Sequence, residues 1–270
     1  MKYIRSIQLS SETVKNPNLY PYNNLKGKTG AHFSLDTITM FYGSNGSGKS
    51  TLLNLIASKL KIKGAEEPMY YGPAAIDYVG KYVEELQIFF EETEDGKRLR
   101  RISPDSYYIK SEDILYEIKK IQQAAILEEG YIYKRKQLGM TQEQAVRHKD
   151  SYQMQEQIER LLFAQEKYSN GETAMHIYED YLVPGGVYLL DEPEASLSAK
   201  KQLELVEIIT KAARFFDCQF LIATHSPLLL GSLEGIIYDM DQDHMLPTQW
   251  TQLENVRIMA EFFQKYRDKF

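Results

Sequence analysis

The run Gly43-Ser44-Asn45-Gly46-Ser47-Gly48-Lys49-Ser50-Thr51 admits few folds. It fits the pattern G-x-x-x-x-G-K-[ST], and its flanks supply the setting that pattern needs. Thr37-Ile38-Thr39-Met40-Phe41-Tyr42 before it is β-branched and aromatic, which predicts a strand over 33–42. Leu52, Leu53, Leu55, Ile56 and Leu60 after it recur at helical spacing, which predicts a helix over 50–61. Strand, glycine turn and helix in that order form a cradle for phosphate.

The chemistry follows from the residue types. Gly43, Gly46 and Gly48 let the backbone turn tightly, so that its N–H groups, with those of Ser44, Asn45, Ser47 and Thr51, come close to an anion. The helix beginning near Lys49 aims its positive dipole end at the same place. Lys49 is expected to reach the β- and γ-phosphates of a nucleotide, and Ser50 to coordinate Mg²⁺.

Elsewhere the pattern alternates. Met1 to Ser10 reads as a strand and residues 15–30 as a polar loop. Leu86-Gln87-Ile88-Phe89-Phe90 and Leu99-Arg100-Arg101-Ile102 flank Glu94-Asp95-Gly96 as a β-hairpin. Ile114, Ile118, Ile121 and Ala125, then Met154, Ile158, Leu161 and Leu162, mark amphipathic helices, so about 111–167 is expected to be a helical insertion. Beyond it come a helix (171–182), a strand (187–191), a helix (198–214), two strands (219–224 and 235–239) and a last helix (254–268). This order predicts an α/β fold with a mostly parallel core sheet, an antiparallel β subdomain and the helical insertion, all within one domain spanning 1–270.

Composition narrows the function. A formal net charge of −6 argues against a protein that coats nucleic acid with its whole surface. Cys218, the only cysteine, leaves no disulfide framework and no thiolate metal site, and its apolar neighbours predict a buried structural role. No signal-peptide pattern opens the chain, and no apolar run approaches the ~20 residues that span a bilayer. A cytoplasmic protein without membrane insertion is expected.

Two further strands end in chemistry. Val187-Tyr188-Leu189-Leu190-Asp191-Glu192-Pro193 places Asp191 to hold the water shell of Mg²⁺ and Glu192 to polarise a water as general base. Phe220-Leu221-Ile222-Ala223-Thr224-His225-Ser226 ends in an imidazole suited to sensing a γ-phosphate. Tyr168-Ser169-Asn170-Gly171-Glu172 opens the helix before the Asp-Glu strand, with Ser169 and Glu172 spaced as a capping box. The same helix N-terminus could also face a second nucleotide.

Together these pieces, with the loop Glu194-Ala195-Ser196-Leu197-Ser198, resemble the ATP-binding-cassette (ABC) class of P-loop NTPases. LLDEPEASLS, CQFLIATHSPLLL, the early Tyr20-Pro21-Tyr22-Asn23 loop and the ending Glu254-Asn255-Val256-Arg257 are more narrowly similar to small stand-alone "predicted ATPases". Those are relatives of the heads of SMC-like chromosome-maintenance and DNA-repair ATPases. The resemblance implies ATP as nucleotide, Mg²⁺ as cofactor and hydrolysis to ADP and phosphate. It also implies a head-to-tail homodimer that sandwiches ATP, with Ser169 and Gly171 arriving from the second copy.

Two departures from the class stand out. Asn170 and Glu172 replace the usual Gly and Gln of the signature. The class's glutamine between phosphate loop and signature is missing from Ile102-Ser103-Pro104-Asp105-Ser106-Tyr107-Tyr108, with Gln87 an alternative. The adenine contact is open between Tyr20 and Tyr22. Most of the chain is ATPase core, so the expected role is a switch for an unidentified protein partner, in genome defence or repair. A DNA-binding head is the alternative, using Lys97-Arg98-Leu99-Arg100-Arg101 and the basic clusters of the insertion. The ATP-binding subunit of a transporter is a third reading, which the atypical signature and missing glutamine disfavour.

Overall fold

A computed structural model describes residues 2–14, 19–66, 77–118, 171–195 and 197–269, with isolated positions between 133 and 141. The chain divides into two compact units, Met1–Ser111 with Ile177–Phe270, and Glu112–His176.

The larger unit is built on a six-stranded sheet in the order β5-β6-β7-β3-β8-β9. Its strands are β3 (Ile38–Tyr42), β5 (Tyr107–Lys110), β6 (Val187–Asp191), β7 (Gln219–Ala223), β8 (Ile236–Asp239) and β9 (Pro247–Thr248). Every pairing is parallel except β8 with β9. β3, β6 and β7 are buried along their whole length. Unbroken apolar runs such as Val187-Tyr188-Leu189-Leu190 suit parallel strands covered on both faces.

Helix α1 (Lys49–Leu60) packs against β5, β6 and β7. Leu52, Leu53, Leu55 and Ile56 are fully buried, each stabilising the unit by about 2 kcal/mol. A second sheet, β2-β1-β4, is antiparallel: β1 (Ile4–Gln8) pairs with β2 (His32–Ser34) and β4 (Gln87–Phe90). The other helices are α2 (Tyr78–Glu85), α3 (Gly171–Tyr181), α4 (Ala199–Phe215), α5 (Pro227–Ser232) and α6 (Glu254–Lys265).

The parallel core, the antiparallel subdomain and every element predicted from 171 onward are present, with ends shifted by a few residues at most. In the smaller unit, residues 112–118 are helical. The predicted helix through Met154 to Leu162 and the cluster Arg147-His148-Lys149 lie outside the described residues.

Two expectations need correction. The strand expected over 33–42 is two strands in two sheets. Between them the Asp36 carboxylate accepts from Thr37 N (2.7 Å) and Asp36 N donates to Thr39 Oγ1 (2.9 Å), so local side-chain bonds replace the ladder. In the expected hairpin the turn forms, with Thr93 N on Lys97 O (2.8 Å) and Gly96 at φ 72. Its second arm, 99–102, forms no strand; the arms meet at the isolated bridge Glu92–Arg98 and through Leu99 N on Glu91 O (2.7 Å). Two of the three arginines in the run considered for DNA contact make contacts within the protein, and the third, Arg101, is exposed. Arg98 lies 3.7 Å over the Phe90 ring, and Arg100 pairs with Asp217 at 2.9 Å.

Gln219 joins the two sheets. Its fully buried side chain accepts from Tyr3 N and Ile4 N (both 2.9 Å) and donates to Ile4 O (2.8 Å) and Asp36 O (3.0 Å). Leucine there would leave buried backbone groups without partners, at about 1–3 kcal/mol each. Gln219→Leu is therefore expected to destabilise the protein by roughly 3 kcal/mol or more, read as a lower urea midpoint at unchanged slope.

Candidate functional site

The strand ends of the parallel sheet bring the predicted residues together. Phe41 is level with Ala223, and Ala223 with Asp191. The phosphate loop after β3, Glu192 after β6 and His225 after β7 thus leave the sheet along one edge.

The loop has the conformation its glycines allow. Gly43, Gly46 and Gly48 all have positive φ (154, 84 and 95). At Gly48 a Cβ would stand 2.6 Å from Asn24 O and 2.9 Å from Leu25 Cδ2, so the early polar loop lies directly on the phosphate loop. Ser44, Asn45, Gly46 and Ser50 are exposed, while Ser47, Lys49 and Thr51 are buried. Thr51 Oγ1 accepts from Asn24 Nδ2 at 3.1 Å. Lys49 Nζ donates to Gly43 O (2.8 Å) and Ser44 O (3.1 Å), and burial lowers its pKa against the pull of Glu192 and Asp191.

The site fits a nucleoside triphosphate with Mg²⁺. Asp77, Ser198 and Ser226 cap α2, α4 and α5 through their side chains. The N-terminus of α1 has no side-chain cap and no acidic residue in its first turn. Its free N–H groups suit an anion. Ser50 Oγ donates to Asp191 Oδ1 at 3.1 Å, pairing a hydroxyl and a carboxylate, hard oxygens of the kind Mg²⁺ prefers. Among the described residues no group of three or more His, Cys, Asp or Glu could hold a metal ion.

Glu192 sits in the left-handed region, φ 48, with its N–H on Ala223 O (2.9 Å). A non-glycine residue there stores strain, a feature that gathers at functional sites. Its Oε1 is 3.2 Å from His225 Nε2, which is buried and lacks an aligned hydrogen bond. Ser47 Oγ is likewise buried without a partner.

Several residues at the site escaped sequence reasoning. Glu194 Oε1 accepts from Thr224 Oγ1 (2.7 Å), His225 N (2.6 Å) and Ser226 N (3.1 Å), clamping the histidine loop. Tyr108 Oη donates to Asp191 Oδ2 (2.9 Å). Asp241 accepts from both Ser44 N (2.6 Å) and Ser44 Oγ (2.7 Å). Glu194 lies in the LLDEPEASLS run, but its clamping role, like the roles of Tyr108 and Asp241, is recognised only through a partner distant in the chain.

Ser169 lies outside the described residues, and Gly171 begins α3. Gln87 belongs to the antiparallel sheet opposite Gln8. Tyr22 is buried, bonded to Glu85 Oε2 (2.9 Å) and edge-on to Tyr82, so it has no free face for a base. Tyr20 is 41% exposed.

A phosphate loop facing an Asp-Glu strand and a histidine strand, on a mostly parallel sheet with an antiparallel subdomain, defines a P-loop ATPase of the ABC type. The chain belongs to the family described as "AAA domain, putative AbiEii toxin, Type IV TA system", whose profile matches residues 88–231, more than half of it. That span includes Asp191, Glu192 and His225 and begins after the phosphate loop. No curated protein matches the chain. Its structure is similar to the SMC head of Pyrococcus furiosus bound to the C-terminal domain of ScpA (15% identity, 97% of this chain and 100% of that one, TM-score 0.45). It is also similar to CbiO1 of the Clostridium perfringens transporter complex cbiONQ (16%, 98% and 95%, TM-score 0.47). The SMC head of Thermotoga maritima is a third similar structure (12%, 92% and 99%, TM-score 0.44).

Burial raises the pKa of Asp191, and hydrogen bonds from Ser50 and Tyr108 oppose the rise. An acid held up in the fold is penalised when ionised. The penalty is absent while folded and unfolded forms are both protonated, and grows as pH rises through the folded pKa. Asp191→Asn is therefore expected to raise Tm at pH 7, with the gain shrinking as pH falls through the raised folded pKa and gone below about 4. Thermal melts of the two proteins across pH check this.

Proposed function

We propose that this protein hydrolyses ATP and works as an ATP-gated, head-to-tail homodimer that switches a partner protein. The observation that carries the reading is the convergence of Lys49, Ser50, Asp191, Glu192 and His225 on one sheet edge, with Ser50 and Asp191 in contact and Glu192 beside His225.

In this reading the loop 43–51 holds the phosphates through its backbone N–H groups, and Lys49 turns from the Gly43 and Ser44 carbonyls to the β- and γ-phosphates. Ser50 and Asp191 would hold Mg²⁺, which would supply positive charge to offset that of the phosphates. Glu192 orients and deprotonates the attacking water, and His225, bonding the γ-phosphate, reports its presence to the chain. Tyr20, which is 41% exposed, takes the adenine. Ser169 and Gly171 reach the γ-phosphate from the second protomer, so ATP closes the pair and hydrolysis reopens it.

The role is in genome defence, and the family's description, a toxin–antitoxin system, supports that placement. The output is on a protein, a reading supported by Arg98 and Arg100, two of the basic residues considered for DNA contact, lying against Phe90 and Asp217. No helix among the described residues is long and apolar enough to cross a membrane, and the switch is expected to act in the cytoplasm.

Glu192→Gln removes the base and keeps the binding loop. It is expected to lower turnover about a hundredfold or more and to accumulate an ATP-bound dimer, seen by light scattering on a sizing column. A variant that stays monomeric with ATP bound refutes the dimer mechanism.

A further inference from the structure

We propose that Tyr108 is a positioning residue for the metal arm of the nucleotide site, holding the Asp191 carboxylate so that its other oxygen faces Ser50. This rests on the nucleotide-binding reading above and extends it to a residue that no motif marks.

The geometry is a short chain of three groups. Tyr108 Oη donates to Asp191 Oδ2 at 2.9 Å, and Ser50 Oγ donates to Asp191 Oδ1 at 3.1 Å. Tyr108 Oη also lies 3.5 Å from Ser50 O, so one phenol touches both the strand-end acid and the first turn of α1. The ring is 1% exposed and fixed in β5, where Tyr108 is level with Leu189 and Lys110 with Asp191. Lys110 Nζ stands 5.7 Å above the ring and pairs with Glu66 at 2.8 Å, closing it from outside.

The chemistry requires such a group. A carboxylate this buried keeps its charge only if hydrogen bonds or nearby cations favour it. Lys49 supplies the cation and Glu192 opposes it. A neutral phenol is a hydrogen-bond donor, and Tyr108 gives that bond to Asp191 Oδ2. With Oδ2 occupied, the carboxylate cannot turn, and Oδ1 is the oxygen offered towards Ser50 and a cation. Groups that orient metal-binding side chains in this way set metal affinity without touching the metal.

The test is Tyr108→Phe, which deletes one hydroxyl and keeps the ring. Mn²⁺ serves as probe, its binding to the protein–ADP complex read by electron paramagnetic resonance. ADP affinity is measured separately in EDTA. The variant is expected to bind Mn²⁺ about tenfold more weakly or worse, with ADP affinity in EDTA unchanged. The Mg²⁺ concentration that half-saturates turnover should rise by the same factor. Unchanged Mn²⁺ affinity overturns the proposal. So does a loss of ADP affinity in EDTA as large as the loss for Mn²⁺, which marks a merely structural residue. Wild-type protein that binds no nucleotide would overturn the function proposed above, and this inference with it.

Discussion

The register of three buried strands is the constraint on which the rest of the structure depends. Hydrogen bonding aligns β3, β7 and β6 so that Phe41, Ala223 and Asp191 stand in one row. The next residues of each strand leave the sheet together, which is how Gly43, Glu192 and His225 become neighbours from positions far apart in the chain. Side chains alternate along a strand, so a slip of one residue would turn Asp191 to the opposite face and away from Ser50. The alignment is held by burial: the three strands are covered along their length and have no polar stretch at which to slide.

What the sheet edge assembles is electrostatically costly. Asp191, Glu192 and Glu194 surround a single buried lysine, Lys49, and burial raises the pKa of both Asp191 and Glu194. Glu192 adds backbone strain. A core chosen for stability alone would contain neither feature, and local disagreement with the rules of folding is the mark of a functional site. The same opposition explains why Lys49 rests on the carbonyls of its own loop: they offer partners to an ammonium that burial disfavours.

Legibility in the sequence followed the range of the interactions. The phosphate loop, the Asp-Glu strand and the histidine strand could be read because their chemistry is contiguous and strands such as Val187–Asp191 are apolar throughout. β5 was missed since Tyr107–Lys110 is short and ends in lysine, and α2 because its signal, the Asp77 cap, follows an unremarkable stretch. The strand over 33–42 divided where Asp36 and Thr39 satisfy the backbone locally. Tyr20 and Tyr22 could not be told apart until Glu85 and Tyr82 were seen to enclose the second. Glu194, Tyr108 and Asp241 act through partners 30 to 197 positions away, a relation no local pattern records.

The buried amide of Gln219 also bears on the order of folding. It meets Tyr3 and Ile4 across 216 and 215 residues of chain. Closing so long a loop is entropically expensive, and contacts of high sequence separation form slowly. β1 therefore lacks part of its set of partners until Gln219, more than 200 residues further on, has been made. The pairing of β1 with β2 and β4 needs only nearby chain, whereas its bonds to Gln219 form only once β7 is present.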